Sequence, residues 1–198
     1  MAENIKTIKE YEIELDQKKI LWTLGYKKKL ASINESLSQM ILEEKARLNF
    51  LLQPAAIYRI LDYEETNKHA IFQNAEKVVL CICTIGPTLE EESGRLMKEN
   101  EMLRGLVLDA LGSEAVEQVA LQSEKIISQE SKKLNLWPSK RFSPGFGKWD
   151  IMEQQFIFQM LPAQNIGVSL NESCMMIPRK SISFRINLYK NQSMGRKQ

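Results

Sequence analysis

The sequence predicts a single domain that mixes helices and strands, and three observations predict it. The 198 residues suit one domain at about 150 residues per domain. The nearly unbroken apolar run Val78–Ile85 reads as a strand buried on both faces, because apolar and polar residues do not alternate in it. From about Glu101 to Glu130 apolar residues recur at helical spacing, which predicts one long helix or two abutting ones.

Each element follows from local chemistry. Met1–Lys9 is expected to be a loose start, so that 1–10 is a flexible N-terminus, 11–190 one domain and 191–198 a disordered tail. Tyr11, Ile13 and Leu15 alternate with Glu12 and Glu14, the pattern of a short half-buried strand. Asp16 is placed to cap a short helix through Trp22 and Leu24 that stops at Gly25. Ser32 or Asn34 opens a second helix, with Leu37, Met40, Ile41 and Leu48 on its apolar face, ending before Pro54. Ile57, Tyr58, Ile60 and Leu61 fall in a strand, Glu64–Lys68 in a turn, and Ala70-Ile71-Phe72 follow it. Gly86-Pro87 breaks the Val78–Ile85 strand. Thr88 then starts a helix whose Glu90, Glu91 and Glu92 complement its dipole. Asp150 opens a short helix through Met160 that ends at Pro162. Ile166–Leu170 reads as a short strand, Asn171–Lys180 as a loop, and Ser181–Leu188 as a last strand with Ile182, Phe184, Ile186 and Leu188 on one face.

On the long helix, Met102, Leu103, Leu106, Val107, Ala110 and Leu111 form one stripe, and Val116, Val119, Ala120, Ile126 and Ile127 face roughly the opposite way. Glu114 and Glu117 then extend the first stripe. Either the helix leaves the core at Gly112 and this line is solvated, which geometry alone favours, or the two carboxylates serve a site.

Composition excludes several function classes. Apolar residues make up 43%, close to the ~45–50% of globular domains, so a core can be buried. The formal net charge is +2, from 27 Lys plus Arg against 25 Asp plus Glu, which speaks against nucleic acid as a partner. No apolar stretch approaches the ~20 residues of a membrane span. One histidine, His69, and three cysteines, Cys81, Cys83 and Cys174, are too few for a zinc site and form no disulfide framework. Met1–Glu14 is mixed in charge, unlike a secretory signal, so the chain reads as cytoplasmic and reduced. Cys81 and Cys83 share a strand face and read as inert core thiols. Lys27-Lys28-Lys29 reads as a solvated rim and Met175-Met176 as core packing or an adaptable apolar contact.

The most unusual segment is Arg141–Trp149. Pro144-Gly145 forces a turn, and Gly145 and Gly147 let the backbone pass close to a flat or bulky group. Phe142, Phe146 and Trp149 offer stacking surfaces, and Arg141 offers a planar fork for a carboxylate or phosphate. The set suits a ligand with an anionic end and an apolar or aromatic body. It equally suits an ordered loop with its aromatics turned into the core.

Arg141–Trp149, taken with Ile166–Pro178, resembles the activation domain of cobalamin-dependent methionine synthase, in particular its stand-alone bacterial version. Ile20–Tyr26, Cys83–Pro87 and Asp109–Glu117 agree, so the resemblance runs from about residue 11 to 189. It implies an α+β fold, a twisted antiparallel sheet with flanking helices, that binds S-adenosylmethionine. It further implies a role in methionine biosynthesis: reductive reactivation of cobalamin whose cobalt has become oxidised. An electron from a flavodoxin-like or ferredoxin-like donor and a methyl group from S-adenosylmethionine restore methylcobalamin. The cobalamin is supplied by a partner, a cobalamin-binding methyltransferase module, so the chain is a component of that enzyme rather than a complete one.

By the same resemblance Arg141 matches the ligand-binding arginine, and Ser143, Pro144 and Gly145 the turn that lines the site. Phe146 stands where tyrosine is common and so lacks the phenol hydrogen bond. Glu117 matches a ligand-binding glutamate, with Glu114 the alternative, and Glu172 matches a glutamate of the downstream stretch. The Phe146 departure motivates an alternative, a non-catalytic docking protein for a corrinoid methyltransferase that has lost use of the methyl donor.

Overall fold

Alternation along the last strand sets the two faces of the sheet. In the computed structural model, which describes residues 5–26, 35–66, 72, 74–147 and 149–191, strand β7 spans Ser181–Tyr189. Phe184, Ile186 and Leu188 are fully buried on one side, against the helices. Ser183, Arg185 and Tyr189 meet the opposite layer, where Ser183 Oγ donates to Gln154 Oε1 at 2.8 Å. The predicted inward face of β7 is thus the observed one.

The sheet has five strands in the order β1-β2-β3-β7-β4, with every neighbour antiparallel. The others are β1 (Ile5–Ile8), β2 (Ala55–Asp62), β3 (Lys77–Thr84) and β4 (Trp137–Pro138). Strand β3 lies at the centre and is buried on both faces, as its unbroken apolar run requires: Val79, Cys81 and Cys83 meet the helices, and Val78, Leu80 and Ile82 the other layer. A separate two-stranded ladder joins β5 (Ser169–Leu170) to β6 (Met176–Ile177). The architecture is α+β, with helices flanking an antiparallel sheet.

On the helical face lie α1 (Gln17–Thr23), α2 (Glu35–Leu51), α3 (Thr88–Lys98) and α4 (Met102–Lys133). Asp16 caps α1 as predicted, its carboxylate accepting from Lys18 N at 2.8 Å. Helix α4 is one continuous element. Its buried line runs through Val107, Leu111, Ala115, Val119 and Ile127, without a reversal at Gly112. Met102, Leu103 and Leu106 are instead exposed, and these three apolar residues on the solvent face are what turned the predicted stripe away from the true one. Glu44 of α2 is fully buried, and guanidinium groups of Arg47 and of Arg104 on α4 pair with it. Helix α5 (Gln154–Met160) lies in the other layer, entered through a helical turn that Asp150 caps.

Three further expectations change. Ile5–Ile8, expected to be loose, forms β1 and pairs with β2 from Ile5↔Arg59 to Ile8↔Ala56. Tyr11–Leu15 is not a strand. Its backbone is held by a side chain of α4 instead, with Glu12 N donating to Gln122 Oε1 at 3.3 Å and Gln122 Nε2 to the Glu12 carbonyl at 2.6 Å. Ile166–Leu170 is strand only at Ser169–Leu170, because Ala163–Ile166 makes a helical turn closed by Gly167 at φ 71°. The readings placed on Lys27-Lys28-Lys29, Ser32, Asn34, Asn67, Lys68, His69, Ala70, Ile71 and the tail 192–198 lie outside the described residues. No helix among the described residues is long and apolar enough to cross a membrane.

Candidate functional site

Strand β4 and an isolated bridge beyond it bring the Arg141–Trp149 segment to the edge of β7. Phe142 N donates to the Arg185 carbonyl at 3.0 Å, and Arg185 N returns the bond to Phe142 at 2.8 Å. Neighbouring side chains on a strand point to opposite faces, so Arg141 and Phe142 part company at this bridge.

Phe142 goes to the layer opposite the helices. There it stacks on Trp149, with centroids 6.2 Å apart and planes 16° apart. The guanidinium of Arg185 lies over both rings, at 5.3 Å and 5.4 Å, and over Phe72 at 5.5 Å. Arg185 is only 7% exposed, its Nε has no hydrogen-bond partner, and Nη1 donates to Asn187 Oδ1 at 2.6 Å. Burial pulls its pKa below the ordinary guanidinium value. Three ring faces therefore do for this cation part of what a carboxylate would do.

Arg141 goes to the helical face. Its Nη2 donates to Glu117 Oε1 of α4, its Nε lies 3.4 Å from Glu124 Oε2 about two turns on, and its guanidinium stands 5.8 Å from the centre of the Phe184 ring. All three partners of this ion cluster are partly exposed. Beneath it lie the thiols of Cys83 and Cys81. Burial pushes Cys83 up to about 12, against a lowering by Arg141, and pushes Cys81 well up too, so both are neutral core groups.

Glu117 also lines a cleft of about 520 Å³ between α1 and α4. Glu114 forms part of its wall and is 5% exposed. It accepts from Gln118 Nε2 at 2.7 Å and lies 3.4 Å from Lys19 Nζ. The solvated-line reading therefore fails for Glu114, which is buried and paired. Lys18 and Lys19 edge the cleft from α1, beside Trp22, which is 61% exposed.

The structure thus brings Arg141, Glu117 and Glu114 to one region. Ser143 and the buried Pro144 begin the turn, Phe146 N donates to the Ser143 carbonyl at 3.3 Å, and Gly145 N to Trp149 O at 2.7 Å. Gly145 sits at φ 86° and Gly147 at φ 57°, where a side chain is strained. A Cβ on Gly147 would also come within 3.2 Å of the Phe142 ring. Gly145 borders a different hollow, of about 380 Å³, with Gly147, Trp149, Asp150 and Ile151. The Phe146 ring is 67% exposed. Glu172 is exposed on the Asn171–Met175 turn and shares no hydrogen bond or ion pair with Arg141 or Glu117. The core-packing reading of the loop holds for Phe142 and Trp149, which turn inward, while Arg141 faces α4.

Sequence reasoning missed Lys19, Trp22, Glu124 and Arg185. Arg185 carried a signal, a charged residue in the middle of an apolar strand. Trp22 carried one as well, a large ring next to the core pair Ile20-Leu21 on a capped helix. Among the described residues no group of three or more His, Cys, Asp or Glu side chains is placed to hold a metal ion.

No protein-family model matches this chain, and no curated protein sequence matches it. A solved structure does: the crystal structure of the MetH reactivation domain bound to AdoHcy. It superposes with a TM-score of 0.71 over 92% of this chain and 78% of that one, at 14% sequence identity. The chain has the fold of that reactivation domain.

Proposed function

We propose that this chain binds S-adenosylmethionine and acts as a reactivation subunit for a cobalamin-dependent methyltransferase. The observation that carries the reading is the meeting of Arg141 with Glu117 at the edge of the α1–α4 cleft. The amino-acid end of S-adenosylmethionine is a zwitterion, and an arginine beside a glutamate is its complement. The Arg141 fork takes the carboxylate, with donors that Glu117 and Glu124 do not use up. Glu117, with Glu114 behind it, takes the ammonium group. The AdoHcy held by the structural neighbour supports a ligand of this class.

Bound there, S-adenosylmethionine would supply a methyl group to a cobalamin carried by a partner and leave as S-adenosylhomocysteine, with the electron supplied by a flavodoxin-like or ferredoxin-like protein. This chain's own part is to bind and orient the donor. One observation favours the alternative of a docking protein without methyl-donor use: both Glu117 and Glu124 already engage Arg141.

Isothermal titration with S-adenosylmethionine separates the two. Saturable heat at one site per chain is expected. Folded protein that gives no heat at millimolar ligand contradicts the proposal and leaves the docking role.

A further inference from the structure

The cleft meets the proposed amino-acid site at Glu117, and helix α1 forms its opposite wall. Helix α1 is short but rigidly placed. Asp16 caps its start, Ile20 and Leu21 are each 1% exposed in the core, and its end closes through Tyr26 N to the Leu21 carbonyl at 2.9 Å, with Gly25 at φ 92°. A rigid helix holds whatever side chain it turns outward in a fixed place. Of the four side chains it turns to the cleft, Lys18, Lys19, Trp22 and Thr23, Trp22 alone carries a ring, and 61% of its surface is open. Among the described residues the rest of the lining is Lys18, Lys19, Thr23, Ser113, Glu114 and Glu117, none of them with a ring, so there Trp22 supplies the one large flat apolar surface. Glu117 belongs both to this cleft and to the Arg141 ion pair, which makes the two ends continuous.

Resting on the function proposed above, we infer that Trp22 is a binding residue for the nucleoside end of the ligand, with the purine ring stacked on the indole face. The ligand then lies lengthwise: its zwitterionic end at Arg141 and Glu117, its purine on α1. Lys18 and Lys19 flank the indole and keep it from being a purely apolar patch, which fits a polar, flat heterocycle better than an aliphatic chain. Purine stacking needs no hydrogen-bond code from the protein, only an accessible ring held still.

Titration of the full chain with S-adenosylhomocysteine and with methionine tests this, using Trp22→Ala and Trp22→Phe. Because Trp22 is exposed, circular dichroism is expected to show both variants folded. Trp22→Ala is expected to weaken S-adenosylhomocysteine by about 5- to 150-fold, the range of a lost base-on-aromatic stack. Trp22→Phe is expected to restore most of that affinity, and methionine, which has no purine, to bind all three proteins alike. Undiminished S-adenosylhomocysteine affinity in Trp22→Ala overturns this inference alone. Wild-type protein that binds no S-adenosylhomocysteine overturns the proposed function and this inference together.

Discussion

Arg141, at the edge of the sheet, donates to Glu117 on the long helix 24 residues before it in the chain. Both side chains are partly exposed, so the pair adds little to stability, about 1 kcal/mol or less. Its chemistry points instead to recognition. Arg141→Ala is expected to leave the urea midpoint nearly unchanged while weakening S-adenosylmethionine by about 1.5–3 kcal/mol, the value of a charge-assisted hydrogen bond. A large loss of stability with unchanged affinity would make Arg141 a structural tie.

If Arg141 takes the ligand carboxylate as proposed, Glu124 competes for the same guanidinium, because its Oε2 lies 3.4 Å from Arg141 Nε. Glu124→Gln removes that competition and leaves Glu117 in place. The expected result is affinity raised by about 1.5- to 5-fold, the worth of a partly exposed ion pair. A fall in affinity in the same titration would place Glu124 among the ligand's own contacts.

Arg185 anchors the aromatic side of the loop by its shape as well as its charge. A methionine in its place fills a similar volume and buries no charge. A lysine keeps the charge but cannot lie flat between Phe142, Trp149 and Phe72. Arg185→Lys is therefore expected to cost about 2–3 kcal/mol in urea unfolding and Arg185→Met less than about 1 kcal/mol. The reverse order would mean that charge alone, without stacking, holds the loop.

These contacts mark how far the sequence could be read. Asp16 and Asp150 were legible as caps because a cap is a local event, one side chain and an amide two residues on. The inward face of β7 was legible because apolar Phe184, Ile186 and Leu188 alternate with polar Ser183, Arg185 and Asn187, although those are buried too, against the other layer. Tyr11–Leu15 misled for the same reason: the segment alternates in burial without a partner strand, and Gln122 of α4 satisfies its backbone instead. Ile5–Ile8 went unread because a four-residue edge strand with two polar residues inside carries almost no pattern. The meeting of Arg141 with Glu117 was reachable by resemblance. The Arg185 stack was not, since nothing in the sequence places Phe72 beside Trp149.

Acid stability follows from a different cluster. Hydrogen bonds from Arg95 and Arg47 hold the Glu92 carboxyl down at about 2, against an ordinary 4.5. A carboxylate whose pKa is lowered by folding stabilises the native state fully above its unfolded value. That stability is lost as pH falls through the folded value. The contribution is therefore present at pH 5 and disappears between about 4.5 and 2. The urea midpoint is expected to fall across this window, and to fall less steeply in Glu92→Gln. An equal slope in both proteins would remove Glu92 from the acid response.

The central claim is that an amino-acid zwitterion is held between Arg141 and Glu117, and a crystal structure of the chain with S-adenosylhomocysteine tests it most directly. The account predicts the ligand carboxylate on the Arg141 guanidinium, at donors that Glu117 and Glu124 leave free, and its ammonium on Glu117 or Glu114. Ligand bound instead in the hollow beside Gly145 and Ile151, with no contact to Arg141 or Glu117, would contradict it.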